Sequence, residues 1–302
     1  MTDHADQAQG PGLRDRLFAL LLQVLPHHLL SRGVYVLTRW DWPPFKDWLI
    51  RTFIRTFAVD MSQAEAPHPS DYPTFNAFFT RALRADARPL APGDGAVLCP
   101  VDGVVSQIGA IHEGRIIQAK GLRFSVSALL EDEEAAGTFA DGRFVTLYLS
   151  PRDYHRVHMP LPGTLRSMTH VPGRLFSVMP STTRTVRRLF TRNERIVSLF
   201  DGPAGPMGLV MVGAIFVASM DTVWAGPVTP VHRRVSRWRY GRPGEPTALA
   251  RGQEMGRFNM GSTVILLFPR DTVEWSEAVT PGAHVRMGQE LGRVRGTGDG
   301  RQ

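Results

Sequence analysis

Between residues 40 and 57 the apolar positions Phe45, Trp48, Leu49, Phe53 and Phe57 recur at three- and four-residue spacing, while Lys46, Arg51 and Arg55 fall largely opposite. That periodicity predicts an amphipathic helix with a basic face, and its tryptophans and arginines suit a helix lying in a membrane interface. An earlier apolar run over 17–25 is interrupted by Gln23 and stopped by Pro26, well short of the ~20 residues that a bilayer span needs. Acidic residues upstream and the lack of a small-x-small site after it argue against a cleaved secretory signal. Residues 75–81 read as a short helix, followed at helical spacing by Arg81, Arg84 and Arg88 and broken at Pro89 and Pro92-Gly93. Beyond Ala96 the pattern changes to short β-type runs over 103–111, 115–119, 144–150, 164–171, 195–200, 209–219 and 262–268, with one helix over 125–136 that Ser125 or Ser127 would cap. The expected fold class is α+β. Amphipathic membrane-association helices occupy 1–60, a helical linker 61–95, and a β-rich domain 96–302.

Composition narrows this picture. The chain has 302 residues, 43% hydrophobic and 21% charged, so it can bury a substantial core. Its formal net charge of +7 rests almost wholly on arginine, since Lys46 and Lys120 are the only lysines. Anionic partners are favoured, and the guanidinium fork suits phosphate. The single cysteine, Cys99, excludes an intrachain disulfide and a cysteine-rich zinc site, and it points to a reducing compartment. The stretches 100–105 and 280–292 resemble the hairpins of lipoyl- and biotinyl-type barrel-sandwich folds. Neither contains the lysine that such carriers modify, which argues against a carrier role.

Candidate chemistry gathers at three places. A polar, glycine-punctuated run from Gly252 to Asn259 leads through Met260, Gly261, Ser262 and Thr263 into the apolar strand 264–268. Glycine and serine at a strand entry commonly mean close backbone approach and a local hydrogen bond. Alternatively, the Ser262 hydroxyl can attack the Gly261 carbonyl, because glycine offers no Cβ to hinder it and tolerates strained dihedrals. The product is an ester, and β-elimination followed by hydrolysis would leave a pyruvoyl group on the new N-terminus. The second place is the strand exit with His155 and His158 beside Asp153 and Arg156. A metal pair is the competing reading there, but it lacks companions at ligand spacing. The third is Asp102-Gly103, which is either an Asp-Gly turn or the acid of an acid-base-nucleophile triad.

Taken together, Asp102-Gly103, the run Asp153 through Pro160, Asn193-Glu194-Arg195, Trp224-Ala225-Gly226 and the run Gly252 through Thr263 resemble the bacterial membrane-associated phosphatidylserine decarboxylases. Methionine at 260 stands where that family usually has leucine, a swap that keeps volume and apolarity. The resemblance implies a proenzyme that cuts itself between Gly261 and Ser262. Ser262 would become a covalent pyruvoyl cofactor that takes up the electrons released as carbon dioxide leaves phosphatidylserine. His158 would be the base on Ser262, Asp102 would orient His158, and His155 would handle the proton that replaces the carboxylate. Phe78 and Phe79 would help receive the substrate, and no metal is required. The implied partners are phosphatidylserine in an anionic membrane, the cleaved small chain 262–302 and further copies of the chain, with no nucleic acid. The implied place is the cytoplasmic side of the cell membrane, held peripherally. Two other readings stay open. One is a membrane-associated serine hydrolase acting on lipid esters, although Gly261-Ser262-Thr263-Val264 is not a Gly-x-Ser-x-Gly elbow. The other is a non-catalytic β-domain bound to an anionic membrane.

Overall fold

A computed structural model describes residues 27–119, 121–215, 219–229, 234–241 and 247–296. The apolar run at 17–25 therefore lies outside the described residues. Helix α1 (His27–Thr38) and helix α2 (Pro43–Phe57) come first among the described residues. Pro43 opens α2, where its missing N–H costs nothing, and Ala58 closes it at φ +52° with its N–H on the Ile54 carbonyl. Among the described residues, no helix is long and apolar enough to cross a membrane.

The inner face of α2 carries Ile50, Phe53 and Ile54 onto Val59, Tyr72 and the short helix α3 (Phe75–Phe79). Thr74 caps α3 by accepting from the Ala77 N–H at 3.1 Å. Phe53 meets Phe75, Phe78 and Phe79 edge-on, with centroids 5.2 to 6.0 Å apart. One expectation about α2 is corrected here. Lys46 is not on the exposed basic face but buried, its ammonium on the Asp47 carboxylate and the Pro69 carbonyl. The outward face keeps Arg51 and Arg55, and the rings of Trp40, Trp42 and Trp48 are exposed as well.

After α3 the helical spacing of Arg81, Arg84 and Arg88 is not realised, because the chain leaves the helix at Thr80. The three arginines part company. Arg81 is buried and donates to the Arg152 carbonyl, Arg84 pairs with Asp86 in solvent, and Arg88 reaches Asp102. Between residues 61 and 95 the only helical turns are Pro69–Asp71 and α3. The end of this stretch packs on the β-domain, with the Ala91 N–H bonded to the Gly288 carbonyl.

The β-domain is built on a nine-stranded antiparallel sheet. Its order is Ser236–Arg239, Gly163–Val171, Arg195–Gly202, Gly205–Gly213, Ser262–Phe268, Arg143–Leu149, Gly103–Ala110 and His284–Val285, with Ala248–Leu249 also pairing Gly163–Val171. The continuous apolar run after Ser262 thus becomes a central strand, and every residue of it is buried. Burying each such side chain contributes roughly 1.5–3 kcal/mol. The strand expected over 209–219 is observed as Gly205–Gly213, and 216–218 are outside the described residues. The helix expected over 125–136 is two, Val126–Leu130 and Glu133–Thr138, divided where Glu131 takes φ +53° and Asp132 starts a new cap; Ser125 caps the first. The two hairpin-like stretches meet each other. His284–Val285 pairs with Gly103–Val104, and Cys99 exchanges hydrogen bonds with Gly288 and Gln289.

A smaller four-stranded sheet, Gly226–Pro227, Met220–Thr222, Glu254–Phe258 and Arg156–His158, brings the histidine segment beside the run that leads to Ser262. Glu254 lies opposite His158, and the ladder shifts register between Glu254 and Gly256. His155 sits just before the strand and accepts the Phe258 N–H on its carbonyl at 3.0 Å. The extra residue, Met255, is on the partner strand, so it is the strand's start at Arg156, with His155 outside it, that lets two histidines three residues apart escape strict alternation.

Candidate active site

The junction before Ser262 is clamped and strained. Asn259 is fully buried, and its side-chain amide donates to Ser219 Oγ at 2.6 Å and Asp221 Oδ1 at 2.9 Å. Its carbonyl oxygen accepts from Asn76 Nδ2 at 3.0 Å. Beyond this anchor, Met260 has φ +152° and Gly261 φ +27°. Such conformations cost on the order of 1–3 kcal/mol for a residue with a side chain. A Cβ on Gly261 would meet nothing within 4 Å, so the dihedral rather than crowding calls for glycine.

Ser262 then enters the central strand opposite Leu149 on one side and Gly213 on the other. It is 0% exposed, and its Oγ has no hydrogen-bond partner among the described residues. A buried hydroxyl left unpaired costs roughly 1–3 kcal/mol. Gly213 is itself held, its N–H on the Glu194 carbonyl and its carbonyl on the amide of buried Asn193 at 2.8 Å.

Both histidines have an assigned tautomer. His158 Nδ1 lies 2.8 Å from the Gly252 carbonyl, which can only accept, so Nδ1 carries the proton. Its Nε2 accepts from the Tyr154 hydroxyl at 3.0 Å. Burial lowers the His158 pKa, opposed by the Gly252 hydrogen bond, and burial raises that of Tyr154 to about 12, so the pair is neutral at ordinary pH. His155 is fully buried and donates from Nδ1 to the Asp153 carbonyl at 2.8 Å, leaving Nε2 buried and unpartnered. Burial drives its pKa down to about 3, and Arg81 adds to the effect. Phe79 covers the ring at a centroid distance of 4.1 Å. Phe78 lies deeper, in the α2–α3 cluster, and neither phenyl ring is open to solvent.

Asp102 stands apart from the histidines. Arg88 grips its carboxylate with two nitrogens, and the Met287 N–H donates to Oδ1 at 2.9 Å. No hydrogen bond joins Asp102 to His158 or His158 to Ser262, and Asp102 reaches His158 only as a nearby charge. Asp102 and Tyr154 share the wall of a cavity of about 350 Å³, with Arg81, Arg88 and Arg152. Tyr154 therefore stands between that cavity and His158. Sequence reasoning did not single out Tyr154, Arg88 or Asn259. Tyr154 lay inside the histidine motif and Arg88 in the arginine row, but nothing local marked either partner. Among the described residues, no group of three or more His, Cys, Asp or Glu side chains is placed to hold a metal.

A family model described as phosphatidylserine decarboxylase matches residues 75–293, and a second, described as PSD, matches 17–58. A protein of Azotobacter vinelandii named phosphatidylserine decarboxylase proenzyme is 56% identical over 284 residues, 93% of this chain and 99% of its own. Relatives of the same name from Ectopseudomonas mendocina and Bordetella avium are 53% and 52% identical, covering 94% and 92% of this chain and 100% and 95% of their own.

Proposed function

The chain belongs to the phosphatidylserine decarboxylase family, and from that premise we propose that it decarboxylates phosphatidylserine to phosphatidylethanolamine with a pyruvoyl group made from its own Ser262. It is a carboxy-lyase of phospholipid metabolism, matched over nearly its whole length by proenzymes of that name. The serine hydrolase reading finds no support among these relatives.

The observation that carries the cleavage reading is the junction itself. An unpartnered, fully buried Ser262 hydroxyl follows two residues held at positive φ. The hydroxyl attacks the Gly261 carbonyl, the amide nitrogen leaves, and an ester replaces the peptide bond. Loss of the Ser262 α-proton then breaks the Cβ–Oγ bond and releases Gly261 as a carboxylate. Water hydrolyses the remaining enamine, in its imine form, to a ketone and ammonia. Breaking the chain here frees Met260 and Gly261 from their dihedrals, so strain relief favours the forward direction. His158 is the base on Ser262, because its tautomer leaves the lone pair on Nε2. Tyr154 must give up that lone pair first. Asp102 supports the charge that develops on His158 from a short distance rather than by contact.

The pyruvoyl group supplies an electron sink for the departing carboxylate's electrons. His155 places the replacing proton. With Nδ1 tied to Asp153 and its pKa near 3, the ring rests with Nε2 unprotonated, so Nε2 is the atom through which this proton passes during the reaction, and Phe79 keeps water from it. Phe78 backs Phe79 from the helical cluster. We assign residues 1–60 to association with an anionic membrane surface, on the exposed tryptophans and Arg51 and Arg55 of α2. Residues 96–302 form the catalytic unit. The partners are then the bilayer that holds the substrate and the small chain 262–302.

Intact-mass analysis of active protein tests the cleavage. The expected result is two chains, 1–261 and 262–302, the second of 41 residues (302 − 261) and lacking a free amine at its start. A single full-length mass, or a small chain that begins with unmodified serine, overturns it. Ser262→Ala should remain whole.

A further inference from the structure

Away from the Gly261–Ser262 junction, the hairpin of Arg115–Ala119 and Leu122–Ser125 closes with the segment 187–192 on a cavity of about 440 Å³. Arg115, Arg123, Arg187, Arg188 and Arg192 line it, and no carboxylate among the described residues does. None of the five is in an ion pair with a described residue. Like charges gathered this way repel one another, and the repulsion must be held down by the fold.

Gln118 supplies that restraint. Its side chain is 1% exposed and donates to the carbonyls of Thr183 at 2.7 Å and Val186 at 2.8 Å, while its oxygen accepts the Leu189 N–H at 2.7 Å. These bonds fix the arginine-bearing segment to the strand that carries Arg115. Arg188 takes φ +54° at the turn into Leu189–Arg192, a conformation that a non-glycine residue seldom adopts. Arg192 lies over the Phe176 ring at 4.7 Å, and burial together with Arg174 and Arg188 pushes its pKa below the ordinary value. The backbone that carries these arginines is thus fixed, while all five side chains stay exposed around the cavity.

We propose that this cavity binds a phosphate group, the chemistry shared by a phospholipid head group and free phosphate. Positive charges converging from two elements, with no carboxylate lining the cavity among the described residues, attract a phosphate's oxygens, and a bound anion removes the repulsion that the empty cavity retains.

The test uses the full chain and a triple variant, Arg123→Gln, Arg187→Gln and Arg188→Gln, beside its charge-keeping counterpart with lysine at the same positions. One arm reads the thermal midpoint in inorganic phosphate against chloride of equal ionic strength. The other reads flotation with phosphatidylcholine vesicles that do or do not contain phosphatidylglycerol. A saturable phosphate-dependent rise in midpoint, lost in the glutamine variant and kept with lysine, supports the site and assigns it to free phosphate. About tenfold weaker binding to the phosphatidylglycerol vesicles alone, restored by lysine, supports it and assigns it to a lipid head group. A glutamine variant equal to the wild type in both arms overturns the proposal, and so does equal loss in the glutamine and lysine variants. Circular dichroism checks that each is folded, and should the triple variant not fold, Arg187→Gln carries the same comparison.

Discussion

The Tyr154 hydroxyl lies 3.0 Å from His158 Nε2, on the ring atom that a proton-abstracting histidine must have free. The hydrogen bond fixes the ring and also lowers its readiness to take a proton, which in the proposed cleavage comes from Ser262. Tyr154→Phe should therefore speed self-cleavage about two- to tenfold, the worth of one neutral hydrogen bond. A time course of small-chain appearance by mass reads this directly. Slower cleavage would mean that the hydroxyl is needed to aim the ring. His158→Ala should cleave poorly, whatever Tyr154 does.

His155 and His158 should fail in different ways. His155→Ala is expected to yield the blocked small chain yet release carbon dioxide from phosphatidylserine about 10² to 10⁴ times more slowly, the usual contribution of a proton-transfer group. Processed protein with wild-type turnover would remove His155 from the reaction.

The depressed pKa of His155 also makes a stability prediction. Folded His155 titrates at about 3, below the 6.5 expected of an unfolded histidine. Between those values the unfolded chain binds more protons, so stability is full above about pH 6.5 and falls as the pH drops towards 3. The slope from this group is at most on the order of 1 kcal/mol per pH unit. Urea midpoints of the Ser262→Ala precursor should fall across that window, and less steeply when His155→Phe is added. Identical slopes would contradict the burial argument.

Removing Arg88 should be worse for folding than removing the charge of its partner. Both side chains of the Arg88–Asp102 pair are 11% exposed. Arg88→Met strands a buried carboxylate and should cost about 3–5 kcal/mol, while Asp102→Asn should cost less because the amide still accepts the Met287 N–H. Denaturant unfolding of the two precursors ranks them. Equal losses would show that the pair contributes through shape rather than charge.

On α2, reversing Arg51 and Arg55 to glutamate should weaken salt-sensitive binding to anionic vesicles, whereas Lys46→Met should not, since its ammonium already faces Asp47. Unchanged co-sedimentation of the double variant would place the helix against its own protein rather than a bilayer.

What the sequence revealed follows the range of the forces involved. The helix at Pro43–Phe57 and the buried strand after Ser262 are recorded in periodicity and in apolar runs, which neighbours along the chain suffice to express. Gly261-Ser262 and the two histidines were legible because their residue types are unusual together. Lys46 was misread because a lysine's place depends on the acceptors it meets, and one of these, the Pro69 carbonyl, comes from another segment. The arginine row failed likewise, since Arg88 is claimed by an aspartate across the fold. The Asn259 clamp was invisible for a stronger reason: its partners Asn76 and Ser219 lie 183 and 40 positions away.

The strand that begins with Ser262 is hydrogen-bonded along both edges, to Gly205–Gly213 and to Arg143–Leu149. A cut at its first peptide bond therefore severs the backbone without releasing a part. The two fragments remain one folding unit, and the shorter leaves only if the whole sheet opens. If Ser262 becomes the pyruvoyl group proposed above, that group, unlike a diffusible cofactor, cannot be exchanged for a fresh one. Each molecule would then be armed a single time, and chemical damage to that carbonyl would retire it for good.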